Sequence, residues 1–191
     1  MDKGYSVTAF ARTPSKIPFQ NEKLKIVKGE WIETDRIDTS LKDADAVISL
    51  LGPTGKTKGL AISSGIKKII SAMEKNGVKR LIAMATPSYK DSNDKFQFGF
   101  AIAVFMVKTL LKGTYQDIVE TGKNIASSNL DWTLVHLPML ANKPATNKLN
   151  IGYTGQGKVN LFSLNREDLA NFLIQQIDDR IYIKKAPIIS N

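Results

Sequence analysis

Arg12-Thr13-Pro14-Ser15-Lys16 places a guanidinium, two hydroxyls and an ammonium within five residues, directly after the alternating run Tyr5–Ala11. Such a cluster at the tip of a strand is an anion site. In sheets that bind dinucleotides, the tip of the second strand meets the adenosine ribose, where an acid accepts from a free 2′-hydroxyl and an arginine accommodates a 2′-phosphate. No acid stands between Arg12 and Lys16, so the pattern favours NADP over NAD. The competing reading is that Arg12 and Lys16 are solvated surface charges.

Gly52-Pro53-Thr54-Gly55-Lys56-Thr57 resembles a triphosphate loop at first sight, but such a loop needs glycine five positions before its Gly-Lys-Thr, and that position holds Leu50. The segment is better read as a loop at the carboxyl end of a parallel strand, where open sheets bind ligands and Gly52 admits close backbone approach. Thr86 and the segment from His136 through Pro138, Met139 and Leu140 follow other strands and should share that edge. The plainer readings are a turn hydroxyl beside Pro87 and, preferred for His136, a strand histidine with its hydrogen bonds satisfied. No catalytic acid is assigned, because neither Tyr89 nor Tyr115 has lysine four residues on. Hydride transfer can proceed without one, since the cofactor carries that chemistry and the protein supplies orientation.

These residues need strands that end together. Tyr5–Ala11 and Leu24–Val27, closed by Gly29, read as strands; Ala44–Leu51, nearly continuous in apolar residues, reads as a central strand buried on both faces. Leu60, Ile62, Ile66, Ile69, Ile70 and Met73 then recur at helical spacing up to Asn76-Gly77, a C-cap pair, and Val78–Ala85 completes a strand–helix–strand crossover. A helical stretch from Phe96 to Ser127 is expected to break near Gly113, with its apolar half in the core. Trp132–Leu137 gives a further strand, Asn142 to Gln156 reads as loop, Asn165 and Asp168 read as the cap of a helix through Gln176, and the tail supplies a late strand. Nothing resembles a linker or a repeat, so residues 1–191 are expected to form one domain.

The bulk properties exclude several functions. With no cysteine and a single histidine, His136, neither disulfides nor a metal cluster is expected. The longest apolar run, Phe98 to Val107, is shorter than the roughly 20 residues of a membrane span, so no membrane partner is expected; Met1-Asp2-Lys3-Gly4 shows no apolar secretory core and the chain has no cysteine, so a cytoplasmic location is expected. The net charge of +9 is spread along the chain, without the aromatic interleaving of a base-stacking platform. An anionic cofactor accounts for it better than a nucleic acid. Nothing in the sequence selects an oligomeric state.

Val7-Thr-Ala-Phe-Ala-Arg-Thr-Pro-Ser-Lys16, Lys28-Gly29-Glu30, Asp45-Ala-Val-Ile-Ser-Leu-Leu-Gly52, Asp131-Trp-Thr-Leu-Val135, Pro138 with Asn142-Lys-Pro144, and Arg166-Glu-Asp-Leu-Ala170 together resemble the NAD(P)-binding, NmrA-like atypical short-chain dehydrogenases, above all the flavin reductase/biliverdin reductase branch. The resemblance implies a Rossmann-type doubly wound parallel sheet and an NADPH-dependent oxidoreductase acting on a flavin, quinone or similar planar acceptor. The alternative is a non-catalytic redox sensor that holds the dinucleotide. It further implies that Arg12, Thr13, Ser15 and Lys16 meet the 2′-phosphate, Glu30 and Trp31 flank the adenine, Leu51 and Gly52 line the ribose path, and Thr86 with Pro138, Met139 and Leu140 meets the nicotinamide.

Three residues depart from that family: Glu30 where aspartate is usual, His136 where many members have arginine, and Met139 for a polar residue. Family members also open with a strand and a Gly-x-x-Gly-x-x-Gly loop, whereas this chain starts at what resembles the end of the following helix. About 25 residues of a typical βα unit are therefore expected to be lacking, a truncation that would leave the second and fourth strands of the sheet with unpaired edges. Met1 is read either as an internal methionine or as the start of a degraded copy.

Overall fold

The computed structural model describes residues 3–53, 59–156, 159–160 and 162–191. β1 (Val7–Ala11) and β2 (Leu24–Lys28) pair in parallel as a two-stranded sheet, and α1 (Thr34–Ser40) follows. A five-stranded sheet holds β3 (Ala46–Ser49), β4 (Arg80–Ala85), β5 (Asp131–His136), β9 (Ile188–Ser190) and β7 (Asn150–Gly152), in that spatial order. Its ladders are parallel except that between β7 and β9. The short β6 (Leu140–Ala141) and β8 (Leu164–Asn165) pair separately.

Alternation along the strands divides the core in two. Leu81, Ala83, Trp132 and Leu134 face α2 (Ala61–Lys75) and α4 (Lys112–Ala126), whereas Ile82 and Val135 face α5 (Arg166–Gln175). Helices thus cover both faces of a mainly parallel sheet, the doubly wound Rossmann arrangement. α2 buries Ile62, Ile66, Ile70 and Met73 at the spacing expected of one helical face. It ends as its sequence predicts: Gly77 takes φ of 73°, and the Val78 N–H donates to the Met73 carbonyl at 2.9 Å.

Several expectations need correction. β3 is not central but outermost in the five-stranded sheet, and it is shorter than the apolar run because Leu50 turns outward with 65% exposure. Among the described residues, neither β3's outer edge nor β1's carries a partner strand. The long helical stretch breaks at Leu111 instead of Gly113, separating α3 (Phe98–Leu110) from α4 by a bend of 115°. α3 is not core: none of its residues is buried, because the bend carries it away from the sheet. α5 begins after Asn165 as expected, but no side chain closes a capping box there. Asp168 instead accepts from the Thr146 and Asn147 N–H groups and from the Asn165 and Asn191 amides. The 142–156 segment contains β7 besides loop.

Candidate functional site

The ladder registers set the edge. Ser49 is opposite Ala83 and Ala85 is opposite His136, so Leu50–Gly52, Thr86–Pro87 and Leu137–Pro138 leave three adjacent parallel strands at the same end. In the smaller sheet Ala11 is opposite Lys28, and the Gly29 N–H donates to the Ala11 carbonyl at 3.2 Å, which sets Arg12 beside the Gly29–Trp31 turn. The two edges meet at Gly65 of α2. A side chain there would stand 3.3 Å from Leu51 Cδ1 and 3.4 Å from Trp31 Cγ, so this glycine lets the helix come close to both. Lys68, one turn on, lies over the Trp31 ring at 5.5 Å and donates to the Ile32 carbonyl at 3.3 Å.

Arg12, Thr13, Ser15 and Lys16 are exposed around a 3-10 turn over Pro14–Lys16. None of these four side chains has a hydrogen-bond or ion-pair partner among the described residues. Four unpaired donors, two of them cationic, fit a phosphate chemically. Glu30 is also exposed; its N–H donates to Glu33 at 2.7 Å, and Glu33 in turn pairs with Arg36 at 3.0 Å. Gly52 is exposed, with nothing within 4 Å of where a side chain would stand. Thr54 to Thr57 of the glycine segment lie outside the described residues. The first turn of α2 beyond them is not an open anion site: the Ile62 and Ser63 N–H groups donate to Asp117 at 2.9 and 2.8 Å, and Asp117 is fully buried.

At the other end of the edge, Pro87, Leu137 and Pro138 form one wall of a cavity of about 350 Å³, with Gly99 and Phe100 of α3 and Phe162 opposite. Thr86, next to it, is half-buried and donates to the Ser88 hydroxyl at 3.1 Å. Met139 is 72% exposed, and Leu140 enters the β6–β8 pair beside the α5 cluster. Of the residues expected to meet the nicotinamide, Pro138 alone lines the cavity.

His136 corrects the expectation of a satisfied histidine. It is fully buried, yet neither ring nitrogen has a hydrogen-bond partner among the described residues. Burial pushes its pKa down to about 4, with Asp91 opposing, so the ring is neutral at pH 7 and supplies none of the charge that an arginine would. The Tyr89 ring meets it edge-on at 6.3 Å, and burial, helped by Asp91, raises the Tyr89 phenol. Sequence reasoning missed Asp117, the α3 wall and Phe162. Asp117 acts across 55 residues of chain on Ile62, and no local pattern announces such a contact.

Residues 1–180 match the NAD(P)H-binding family. The UPF0659 protein YMR090W of Saccharomyces cerevisiae is 23% identical over 177 residues, covering 88% of this chain and 74% of its own. The oxidoreductase ylbE of Lactococcus lactis superposes with a TM-score of 0.77 at 24% identity, over 98% of this chain and 80% of that one. A short-chain dehydrogenase/reductase of Veillonella parvula, solved in complex with NADP, superposes with a TM-score of 0.72 at 16% identity, over 97% and 82%.

Proposed function

Because the chain belongs to the NAD(P)H-binding family, we propose that it is an NADPH-dependent oxidoreductase whose acceptor is planar, such as a flavin or quinone. The observation that carries this reading is the cavity at the carboxyl ends of β4 and β5, walled by Pro87, Pro138, Phe100 and Phe162. Flat apolar walls suit a flat acceptor. Arg12, Thr13, Ser15 and Lys16 would hold the 2′-phosphate, Trp31 and Glu30 would flank the adenine, and Leu51 and Gly52 would line the ribose path. Thr86, with the Pro138–Leu140 backbone, would orient the nicotinamide towards the cavity.

When bound, NADPH would supply the hydride, and the chain's own residues would orient the two rings. No titratable side chain lines the cavity among the described residues. The same observation favours a second reading, a sensor that binds the dinucleotide without turnover. Oxidation of NADPH with FMN or a short-chain quinone separates the two: turnover supports the reductase, and saturable binding without it supports the sensor.

Cofactor selection is tested by titrating NADPH and NADH while following nicotinamide fluorescence. Loss of one charge-assisted contact in Arg12→Ala is expected to weaken NADPH by about 10- to 100-fold and leave NADH unchanged. Equal loss for both cofactors would remove Arg12 from the 2′-phosphate. With Asp117 occupying the first turn of α2, that helix terminus would not hold the pyrophosphate.

A further inference from the structure

α3 is apolar on both sides. Phe100, Val104 and Val107 are half-buried on the side facing the protein, whereas Phe98, Ile102, Phe105, Met106 and Leu110 recur at helical spacing on the opposite side, all exposed. Phe105 is 64% exposed and Leu110 78%. Phe162, 79% exposed, lines a cavity with Gly99 and Phe100, on the protein-facing side of the helix. A contiguous apolar surface of this kind marks an interaction site.

The surrounding charge selects the occupant. No acid occurs between Asp94 and Asp117, and that interval carries Lys95, Lys108 and Lys112. A second copy would bring the same cations to the contact and, with a net charge of +9 on each chain, would repel. An anionic bilayer surface complements both features, since apolar side chains enter the acyl boundary while flanking lysines meet the headgroups. We propose that the outer face of α3 docks on anionic lipid, the helix lying along the surface.

Spanning is a different matter. Among the described residues no single helix is long and apolar enough to cross a membrane, and the bent pair formed by α3 and α4 has Ile118 and Ile125 of α4 buried in the fold. The expectation of no membrane partner rested on the length of an apolar run, which is a criterion for crossing a bilayer and not for lying on it. Lipid binding by this outer face does not depend on the reductase reading.

The test is co-sedimentation of the full chain with vesicles of phosphatidylcholine alone and of phosphatidylcholine mixed with phosphatidylglycerol. Binding to the mixed vesicles is expected, weakened by salt, and lowered by roughly 30-fold in K108Q/K112Q. Phe105→Gln, an exposed change expected to leave the circular dichroism intact, should lower it by about tenfold or more. Phe105→Trp should give an added fluorescence that brominated lipid quenches. Failure to bind either vesicle, binding indifferent to Phe105→Gln, or an unquenched Trp at 105 would each overturn the proposal. A dimer in sedimentation equilibrium that is lost in Phe105→Gln, without vesicle binding, would overturn it in favour of a second copy.

Discussion

β4 and β5 are buried along most of their length, whereas β1 and β2 contribute no buried residue at all. Both pairs are parallel ladders, and the difference lies in what covers them. β5 sits between β4 and β9 with helices on both faces; β1 and β2 are tied to the body by Phe10, half-buried against the core, and by contacts such as Tyr5 donating to Asp178 at 2.6 Å, the Lys75–Asp38 pair and the packing of Trp31 on α2. The residues proposed to hold the 2′-phosphate therefore stand on the half with fewer buried residues, and the cavity stands at the ends of β4 and β5, with α3 as part of its lining. Substitutions in the larger sheet should be read in stability, and those in the smaller sheet in affinity.

Two arginines test that division most severely. Arg80 is buried and donates to the Gln176 carbonyl through Nε at 2.9 Å and Nη2 at 2.6 Å, to the Asp131 carbonyl at 2.7 Å and to the Thr133 hydroxyl at 2.9 Å. Burial lowers its pKa, with Asp131 opposing. Arg80→Met leaves those acceptors unpaired and is expected to cost about 4 kcal/mol in urea unfolding. Arg36 makes a comparable bond to the Lys28 carbonyl at 2.7 Å, but with its side chain 57% exposed; Arg36→Met should cost less than about 1 kcal/mol. Similar losses at the two sites would show that the smaller sheet is as firmly held as the larger.

His136 gives the next effect, which has a pH signature. Its pKa in the fold is about 4 against 6.5 in the unfolded chain, so between these values the unfolded state binds the extra proton. The contribution is complete above pH 6.5 and declines as pH falls towards 4, by roughly 3 kcal/mol in total. Urea midpoints across that window should fall more steeply in the wild type than in His136→Leu. Parallel slopes would mean that the ring finds a partner for its proton inside the fold.

What the sequence revealed follows the same division. The β3–α2–β4 crossover was legible because apolar periodicity and Asn76-Gly77 act over a few residues. The strand tips were legible because glycine, proline and hydroxyl residues punctuate them. α3 was misread, since apolar composition reports what a helix avoids and not what covers it. Leu111 takes the break assigned to Gly113, because a glycine in the first turn of α4 is tolerated while the chain turns two residues earlier. The burial of His136 was foreseeable from its strand; its lack of a partner depends on what Tyr89 and Asp91 place around it.

Two glycines make the finest comparison. A side chain at Gly122 of α4 would stand 2.3 Å from Cγ and 2.8 Å from Cβ of Tyr89, and one at Gly29 would stand 2.4 Å from Cζ of Phe10. The distances are alike, but the obstacles are not. At Gly122 the obstacle is the root of a ring that packs against His136, so the whole residue must move. Alanine's helical preference returns about 1 kcal/mol against an overpacking cost of about 3 kcal/mol, leaving Gly122→Ala roughly 2 kcal/mol less stable. At Gly29 the obstacle is the far end of the Phe10 ring, half-buried against the core, so the ring must shift but its root need not, and Gly29→Ala should cost about 1 kcal/mol, less than Gly122→Ala. Thermal unfolding of the two variants measures how freely each half yields. An equal loss would place Phe10 in a setting as unyielding as that of Tyr89 and would erase the distinction between the two sheets.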